Sequence, residues 1–221
     1  MKENIAIFGA GTMASSYIDV IQSQGKYNLV GLFDAKYPDL KTYCDYQVIG
    51  SEDNFLEQCK KRNIKNISVC IGDNYIRYKV VEKLKNLNPD IKFPVLIHKS
   101  ASVSKNTKIG EGSIIMALVC IDASTVVGKQ IFVGMNSAVP HGCHIGDYSS
   151  LSSGVSLAGE VHVGEFTFLG VGSTVSHCKE IGNNVIIGAG SVVVKDIPDN
   201  VVAYGVPARV MRSRELGEKY L

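Results

Sequence analysis

Residues 137–164 read SAVPHGCHIGDYSSLSSGVSLAGEVHVG. Neither the 3.6-residue period of an amphipathic helix nor the alternation of a half-buried strand fits this stretch. A period of six does. Val139, Ile145, Leu151, Leu157 and Val163 are all branched aliphatics. Extended outward, the series runs from Ile97 through Val103, Ile109, Ile115, Ile121, Val127 and Val133, and on through Leu169, Val175, Ile181 and Ile187 to Val193. Seventeen consecutive positions are Ile, Leu or Val. With about one residue in four of this type, chance gives such a run at roughly 10⁻¹⁰ in a fixed register.

A helix or a flat sheet has no use for period six, but a triangular coil does. Three short strands make a turn of about 18 residues, and each strand turns one aliphatic side chain inward. Residues 97 to about 194 are therefore expected to form a parallel β-helix. Gly110, Gly128, Gly134, Gly146, Gly164, Gly170, Gly182 and Gly188 each follow an aliphatic of the series. They read as corners, where unusual dihedrals or close backbone approach favour glycine. Residues one coil apart stack at about the 4.8 Å strand spacing. His144 then lies over His162, and His141, Gly159 and His177 share another column, all at outward positions.

The first part of the chain has a different rhythm. NIAIF (4–8), YNLVGLF (27–33), NISVCIG (66–72) and FPVLI (93–97) read as strands. Helices are expected over 12–24, over 51–61 with Ser51 as N-cap, and over 74–86 with Ile76, Val80, Val81 and Leu84 on one face. Strands alternating with helices imply a small Rossmann-like α/β unit with a parallel sheet, placed at 1–96, ahead of a coil unit at 97–221. IFGAGTMA (7–14) has a G-x-G-x-x-A pattern after a strand, and Asp34 ends the next strand. Read alone this suggests NAD with Asp34 on a ribose, although the unit looks too short for two mononucleotide halves. In the C-terminal segment VVAYG (201–205) reads as a strand capping the coil, and Arg209 and Arg212 read as a solvated tail rather than coenzyme contacts.

Composition excludes several classes. Net charge is +2 with dispersed basic residues, which forecasts no nucleic-acid partner. No run of about 20 apolar residues forecasts a membrane span. The apolar run at the N-terminus is too short for a signal peptide, and the six scattered cysteines never form CxxC, so a cytoplasmic chain with reduced thiols is expected.

The strict hexad resembles the left-handed β-helix of the hexapeptide-repeat acyltransferases. The domain order sharpens the likeness, together with VPHGCHIG (139–146), LAGEVHVG (157–164), IHKSA (97–101) and YGVPARVMR (204–212). The chain resembles the branch of bacterial N-acetyltransferases acting on nucleotide-linked 4-amino-6-deoxysugars and of sialic acid O-acetyltransferases. The resemblance implies acetyl-CoA as cosubstrate, no metal, and a homotrimer with sites between subunits. It implies His141 as the general base acting on the sugar amine. It implies coenzyme contacts at Ser150, Gly159, Val171 and Ala189, the Gly159 N–H meeting the thioester carbonyl. Gly11, Thr12, Met13, Asp34, Ala35 and Gly72 match the nucleotide-sugar pocket. The family often places Glu or Asp directly after the base. Here that position is Gly142, and Glu160 or Asp122 could substitute. The family loop often reads Gly-Gly-His where this chain has Gly11-Thr12-Met13. Three alternatives stand beside the amino-sugar reading: O-acetylation of a sialic acid, a zinc hydratase of the γ-carbonic anhydrase type using three imidazoles, and a non-catalytic nucleotide-sugar or NAD binding module.

Overall fold

The computed structural model describes residues 2–219. The N-terminal part is a five-stranded sheet of β1 (Glu3–Phe8), β2 (Tyr27–Phe33), β3 (Thr42–Tyr43), β4 (Tyr46–Gly50) and β5 (Ile64–Val69), in the order β3-β4-β2-β1-β5. Strands β4, β2, β1 and β5 are mutually parallel, and β3 turns back antiparallel on β4. The parallel strands bury nearly continuous apolar runs, such as Ile5 to Phe8, because both sheet faces are covered. Helices α1 (Ala14–Gln24), α2 (Phe55–Lys61) and α3 (Asn74–Leu87) supply the cover.

Several expectations are corrected here. FPVLI is not a sheet strand: Lys92 makes one bridge to Asn66, and Leu96–Ile97 already belongs to the coil, paired with Ile114–Ile115. The fourth parallel strand is Tyr46–Gly50, fed by a hairpin whose turn puts Cys44 and Asp45 at positive φ. Ser51 does not cap α2. Its hydroxyl accepts from the Asp53 N–H (3.3 Å) and its own N–H donates to Asn54 Oδ1 (2.9 Å), so residues 51–54 form a turn and the helix starts at Phe55. The buried face of α3 is Asn74, Arg77, Val81 and Leu84, whereas Ile76 is exposed. This helix packs against polar backbone as well as apolar side chains.

Seventeen two-residue strands, β6 to β22, then follow at six-residue intervals from Leu96–Ile97 to Val192–Val193. They stack into three parallel sheets in an 18-residue register, for example Cys120↔Ala138, His144↔His162 and Ser150↔Phe168. The result is a left-handed parallel β-helix, a three-walled prism. The hexad aliphatic is the second residue of every strand, and from Ile115 to Val193 each is at most 3% exposed. The corners hold a second inner column of small residues. Ser113, Thr125, Ser137, Ser149 and Thr167 are buried, and their hydroxyls donate to carbonyls 15 residues on at 2.6–3.0 Å. No corner hydroxyl in this set is left unpaired in the dry interior.

The corner glycines have a more specific reason than expected. Those following the aliphatics have ordinary φ, and close approach keeps them: a Cβ on Gly146 would stand 2.7 Å from backbone atoms of the next coil. Positive φ falls two residues later, at every sixth residue from Gly112 to Gly190, and is adopted by Leu118, Tyr148, Glu160, Phe166 and Cys178 as well as by glycines.

The first prism face carries Leu96, Ile114, Phe132, Ser150, Phe168 and Ile186 outward, and α1 and α3 cover it. Tyr17 of α1 stacks on Phe132 (6.5 Å), and Tyr78 of α3 meets Tyr148 edge-on (5.2 Å). The second face (from Ser102) and the third face (from Lys108) stay uncovered within the chain. A hairpin, β23 (Val201–Gly205) and β24 (Ala208–Ser213), extends the first face and closes the C-terminal end of the coil.

Candidate active site

His141 stands on the corner joining the second face to the third. Gly142 follows with φ +69°, and Glu160 N–H donates to the His141 carbonyl (3.0 Å), tying this corner to the coil above. The imidazole lies against Gly159: a Cβ there would come within 2.7 Å of Nε2 and 2.9 Å of Cε1. Glycine is thus needed at 159 to admit the ring. The opposite nitrogen, Nδ1, is 4.0 Å from Asp122 Oδ2, an electrostatic contact too long for a direct hydrogen bond. Asp122 is steadied by the Ala123 N–H, which donates to its Oδ1 (2.7 Å). Both side chains remain well exposed, at 66% and 57%. Of the two carboxylates that could stand in for the missing acid at 142, Asp122 faces the imidazole. Glu160 instead sits 3.5 Å from Cys178 Sγ. Among the described residues the Gly159 N–H has no protein acceptor, so a fixed donor lies beside Nε2.

Val171 and Ala189 lie on a different corner, between the first and second faces, in one column with Met135 and Ser153. Both are exposed, Val171 at 57%. The neighbouring positive-φ positions are Gly154, Gly172 and Gly190, and a Cβ on Gly172 or Gly190 would meet nothing within 4 Å. The upper part of this corner is therefore a smooth strip with backbone accessible along it. Ser150 does not share it. Ser150 is 2% exposed on the first face, under α3, where its hydroxyl donates to Asn74 Oδ1 (2.7 Å) and accepts from Arg77 Nη2 (3.1 Å). Its polar atom is committed to the junction between sheet and coil, not to the strip that Val171 and Ala189 share.

The N-terminal candidates gather at the carboxyl ends of β1, β2 and β5, where open α/β sheets bind ligands. Gly9 has φ +111° and touches Cys70, which burial pushes up to a pKa of about 12. Gly11 and Thr12 are exposed, and Met13 forms the entry to α1. Among the described residues the N–H groups of Gly11, Thr12 and Met13 have no protein acceptor, and α1 adds its positive end. Asp34 is occupied: Oδ2 accepts from Ala10 N–H (2.8 Å) and Oδ1 from Lys36 N–H (2.9 Å). It shapes the loop. Ala35 is exposed beside it, and Gly72 lies close to Met13, with a Cβ 3.4 Å from its sulfur.

The main positioning residue that sequence reasoning missed is Arg77. Its buried guanidinium donates to the carbonyls of Ile71 (2.8 Å), Gln130 (3.0 Å) and Tyr148 (3.0 Å) and to Asn74 Oδ1 (3.0 Å). It also reaches the Gly72 carbonyl at 3.3 Å. One side chain therefore joins the ligand loop to two coils. The available signal was an arginine in register with Asn74, Val81 and Leu84 on one helix face. His98 of IHKSA likewise bridges to α1, with Nε2 3.3 Å from Asp19.

His144 and His162 pair in register one coil apart as expected, with ring centroids 6.1 Å apart and ring planes tilted by 56°, on the third face and away from the His141 corner. Among the described residues of one chain no group of three His, Cys, Asp or Glu side chains could hold a metal ion. No described helix is long and apolar enough to cross a membrane.

Comparison with known proteins gives this geometry its context. Residues 4–84 match the PglD N-terminal domain family. The chain is 30% identical over 205 residues to a GDP-perosamine N-acetyltransferase of Escherichia coli O157:H7, covering 90% of this chain and 81% of that one. Among solved structures it is similar to PerB from Caulobacter crescentus in complex with CoA and GDP-perosamine, with TM-score 0.88 and 33% identity over 95% of this chain and 97% of that one. It is also similar to the acetyltransferase domain of PglB from Neisseria gonorrhoeae FA1090 in complex with acetyl coenzyme A, with TM-score 0.87 and 29% identity over 96% and 100% of the two chains. With a smooth corner on one edge of the coil, a parallel-sheet loop beside that corner and a histidine on the next edge, the chain belongs to the acetyl-CoA-dependent sugar N-acetyltransferases of the hexapeptide-repeat family.

Proposed function

We propose that this chain acetylates the amine of a nucleotide-linked 4-amino-4,6-dideoxysugar, with His141 as general base. The observation that carries the reading is the His141 imidazole seated on Gly159 with Asp122 behind it. Acetyl-CoA supplies an activated acyl carbon with a thiolate leaving group. The chain supplies geometry and a proton acceptor. With Nδ1–H directed at Asp122, the Nε2 lone pair faces outward beside Gly159 and takes the proton that the amine loses as its nitrogen bonds to the acyl carbon. The Gly159 N–H donates to the oxygen on which negative charge grows. Val171 and Ala189 line the strip for the pantetheine arm. The N–H groups of Gly11, Thr12 and Met13 at the start of α1 hold the diphosphate, as helix N-termini do, with Asp34, Ala35 and Gly72 shaping the walls. On this reading residues 1–96 hold the nucleotide-sugar and residues 97–221 carry acetyl transfer.

Within one chain His141 and the ligand loop lie along opposite edges of the second face, because Met13 adjoins Met135 and Ser153 on the far corner. The outward residues of that face are small: Ser102, Cys120, Ala138, Ser156, Thr174 and Val192. Three such faces turned toward a threefold axis would bring the His141 corner of one copy against the Val171 corner of the next. A homotrimer with its sites between subunits is therefore part of the proposal.

The test is an acetylation assay with nucleotide-linked amino sugars and sialic acid as acceptors, run on the wild type and on His141→Asn. Turnover of amino sugars and a loss of about 10² or more in kcat for the variant support the reading. Activity confined to sialic acid overturns the acceptor, and unchanged turnover in His141→Asn overturns the base.

A further inference from the structure

A cleft of about 250 Å³ opens between the start of α1 and the coil. Met13, Met116, Phe132 and Met135 supply its apolar lining. Ser16, Ser152 and Ser153 complete it, and among the described residues their hydroxyls have no protein partner. No charged side chain is among these lining residues, so the cleft does not suit a phosphate. It adjoins Met13, the last residue of the loop whose N–H groups have no protein acceptor among the described residues. A diphosphate held on that loop would pass its next unit into the cleft.

The lining is graded along the prism. Met116 lies on one coil, Phe132 and Met135 on the next, and Ser152 and Ser153 on the third, by the 18-residue register. The hydroxyl end points toward the coils of Val171 and Ala189, and the thioether end points away from them. A ring with hydroxyls on one edge and an apolar carbon on the other matches this gradient. We infer that the cleft seats the hexose ring and that Met116, Phe132 and Met135 select a methyl over a hydroxymethyl group at carbon 6. The inference rests on the nucleotide-sugar reading above and adds the residues that set acceptor choice. A hydroxyl placed among thioethers and a phenyl ring would lose its water without gaining a partner. An apolar site of this kind discriminates modestly, within about 100-fold.

The experiment compares dTDP-, UDP- and GDP-linked 4-amino-4,6-dideoxyglucose with the corresponding 4-amino-4-deoxyglucose nucleotides. Affinity is read by calorimetry and kcat/KM by acetylation. The wild type is expected to favour the 6-deoxy sugar by about ten-fold or more in binding. Met116→Gln and Met135→Gln are expected to narrow that preference to about three-fold or less, while Met116→Leu keeps it. Affinity for the nucleoside diphosphates alone should not move in any variant. Met135 is 48% exposed, so its variant stands in if the buried Met116→Gln does not fold. Equal affinities in the wild type, no gain from the sugar over the nucleoside diphosphate, or a preference untouched by Met135→Gln would each overturn the inference. A binding preference without acetylation of any amino sugar would leave the cleft assignment standing and sink the catalytic reading instead.

Discussion

Nε2 of His141 occupies the space that a side chain at position 159 would need, with the position of a Cβ on Gly159 only 2.7 Å away. The two residues are one coil apart and share a corner, so the prism's register, rather than any local motif, sets where the imidazole sits. Gly159→Ala tests this directly. Gly159 is not at positive φ, so alanine strains no backbone there, and the only group that must move is the imidazole. Misplacing a reacting group by about 1 Å costs on the order of 10²-fold in rate. We expect kcat/KM to fall by about that factor with the unfolding temperature nearly unchanged. Full activity in this variant would mean that the ring does not work from its place over Gly159.

How far the molecule was legible from its sequence depends on how often a constraint repeats. The inward aliphatic recurs in every strand from Ile97 to Val193, so the prism and its 18-residue stacking could be read at once, and with them the His141–Gly159 pairing. The positive-φ column repeats as regularly but leaves no residue signature. Coil closure imposes that conformation on Leu118, Glu160 and Phe166 alike, overriding side-chain preference. Singular contacts were hidden. Ser150 shares the Ser/Thr look of many outward coil positions, and only the packing of α3 takes it out of solvent. Arg77 shares a helix face with Asn74, Val81 and Leu84, which hints at burial, but most of its partners are backbone carbonyls, among them those of residues 71, 130 and 148, which no side-chain pattern records.

That guanidinium carries its own prediction. Arg77→Met would leave the carbonyls of Gln130 and Tyr148 without this donor in a buried junction. Each unsatisfied buried group costs about 1–3 kcal/mol, so a loss of about 3 kcal/mol or more is expected in chemical denaturation. Lysine should not rescue it, since a point-like ammonium cannot span carbonyls on two coils and the loop as the planar fork does. The Gly72 carbonyl also loses a donor, so KM for the nucleotide-sugar should rise in the fraction that folds. A variant with wild-type stability and KM would show that the junction is held elsewhere.

The six thiols should separate by environment and by assembly. Burial pushes Cys59 and Cys70 up to about 12 and raises Cys143 as well, so none should react with a disulfide reagent near pH 8. Cys44 is exposed and should react first. Cys178 should follow more slowly, since partial desolvation and then the Glu160 carboxylate raise its pKa. Cys120 points outward from the second face, the face assigned to the trimer interface, and should react only when the assembly is diluted apart. The sign of the pH effect on stability follows from Cys59 and Cys70. Below about pH 7.5 both are protonated in either state and the fold loses nothing. From about 8.5 up to about 12 the unfolded chain ionises first, so unfolding becomes easier as pH rises. Rapid labelling of Cys120 in a concentrated sample would contradict the proposed packing of that face.

The last prediction sets the two six-residue columns of the coil against each other. Leu151 is an inward aliphatic with no exposed surface. Leu151→Ala removes it from a column whose neighbours, Val133 and Leu169, are fixed by backbone pairing above and below and cannot collapse into the gap. A loss of about 2–5 kcal/mol is expected. Ser124 belongs to the other column, exposed at φ +60°. An L-residue in that conformation carries a strain of about 1–2 kcal/mol that asparagine partly relieves. Ser124→Asn should therefore raise the unfolding midpoint slightly, by up to about 1 kcal/mol, while leaving the coil intact. Urea titrations of the two variants decide between column and corner as the seat of stability. If Leu151→Ala proved mild, the inward aliphatics would not be what holds the prism together.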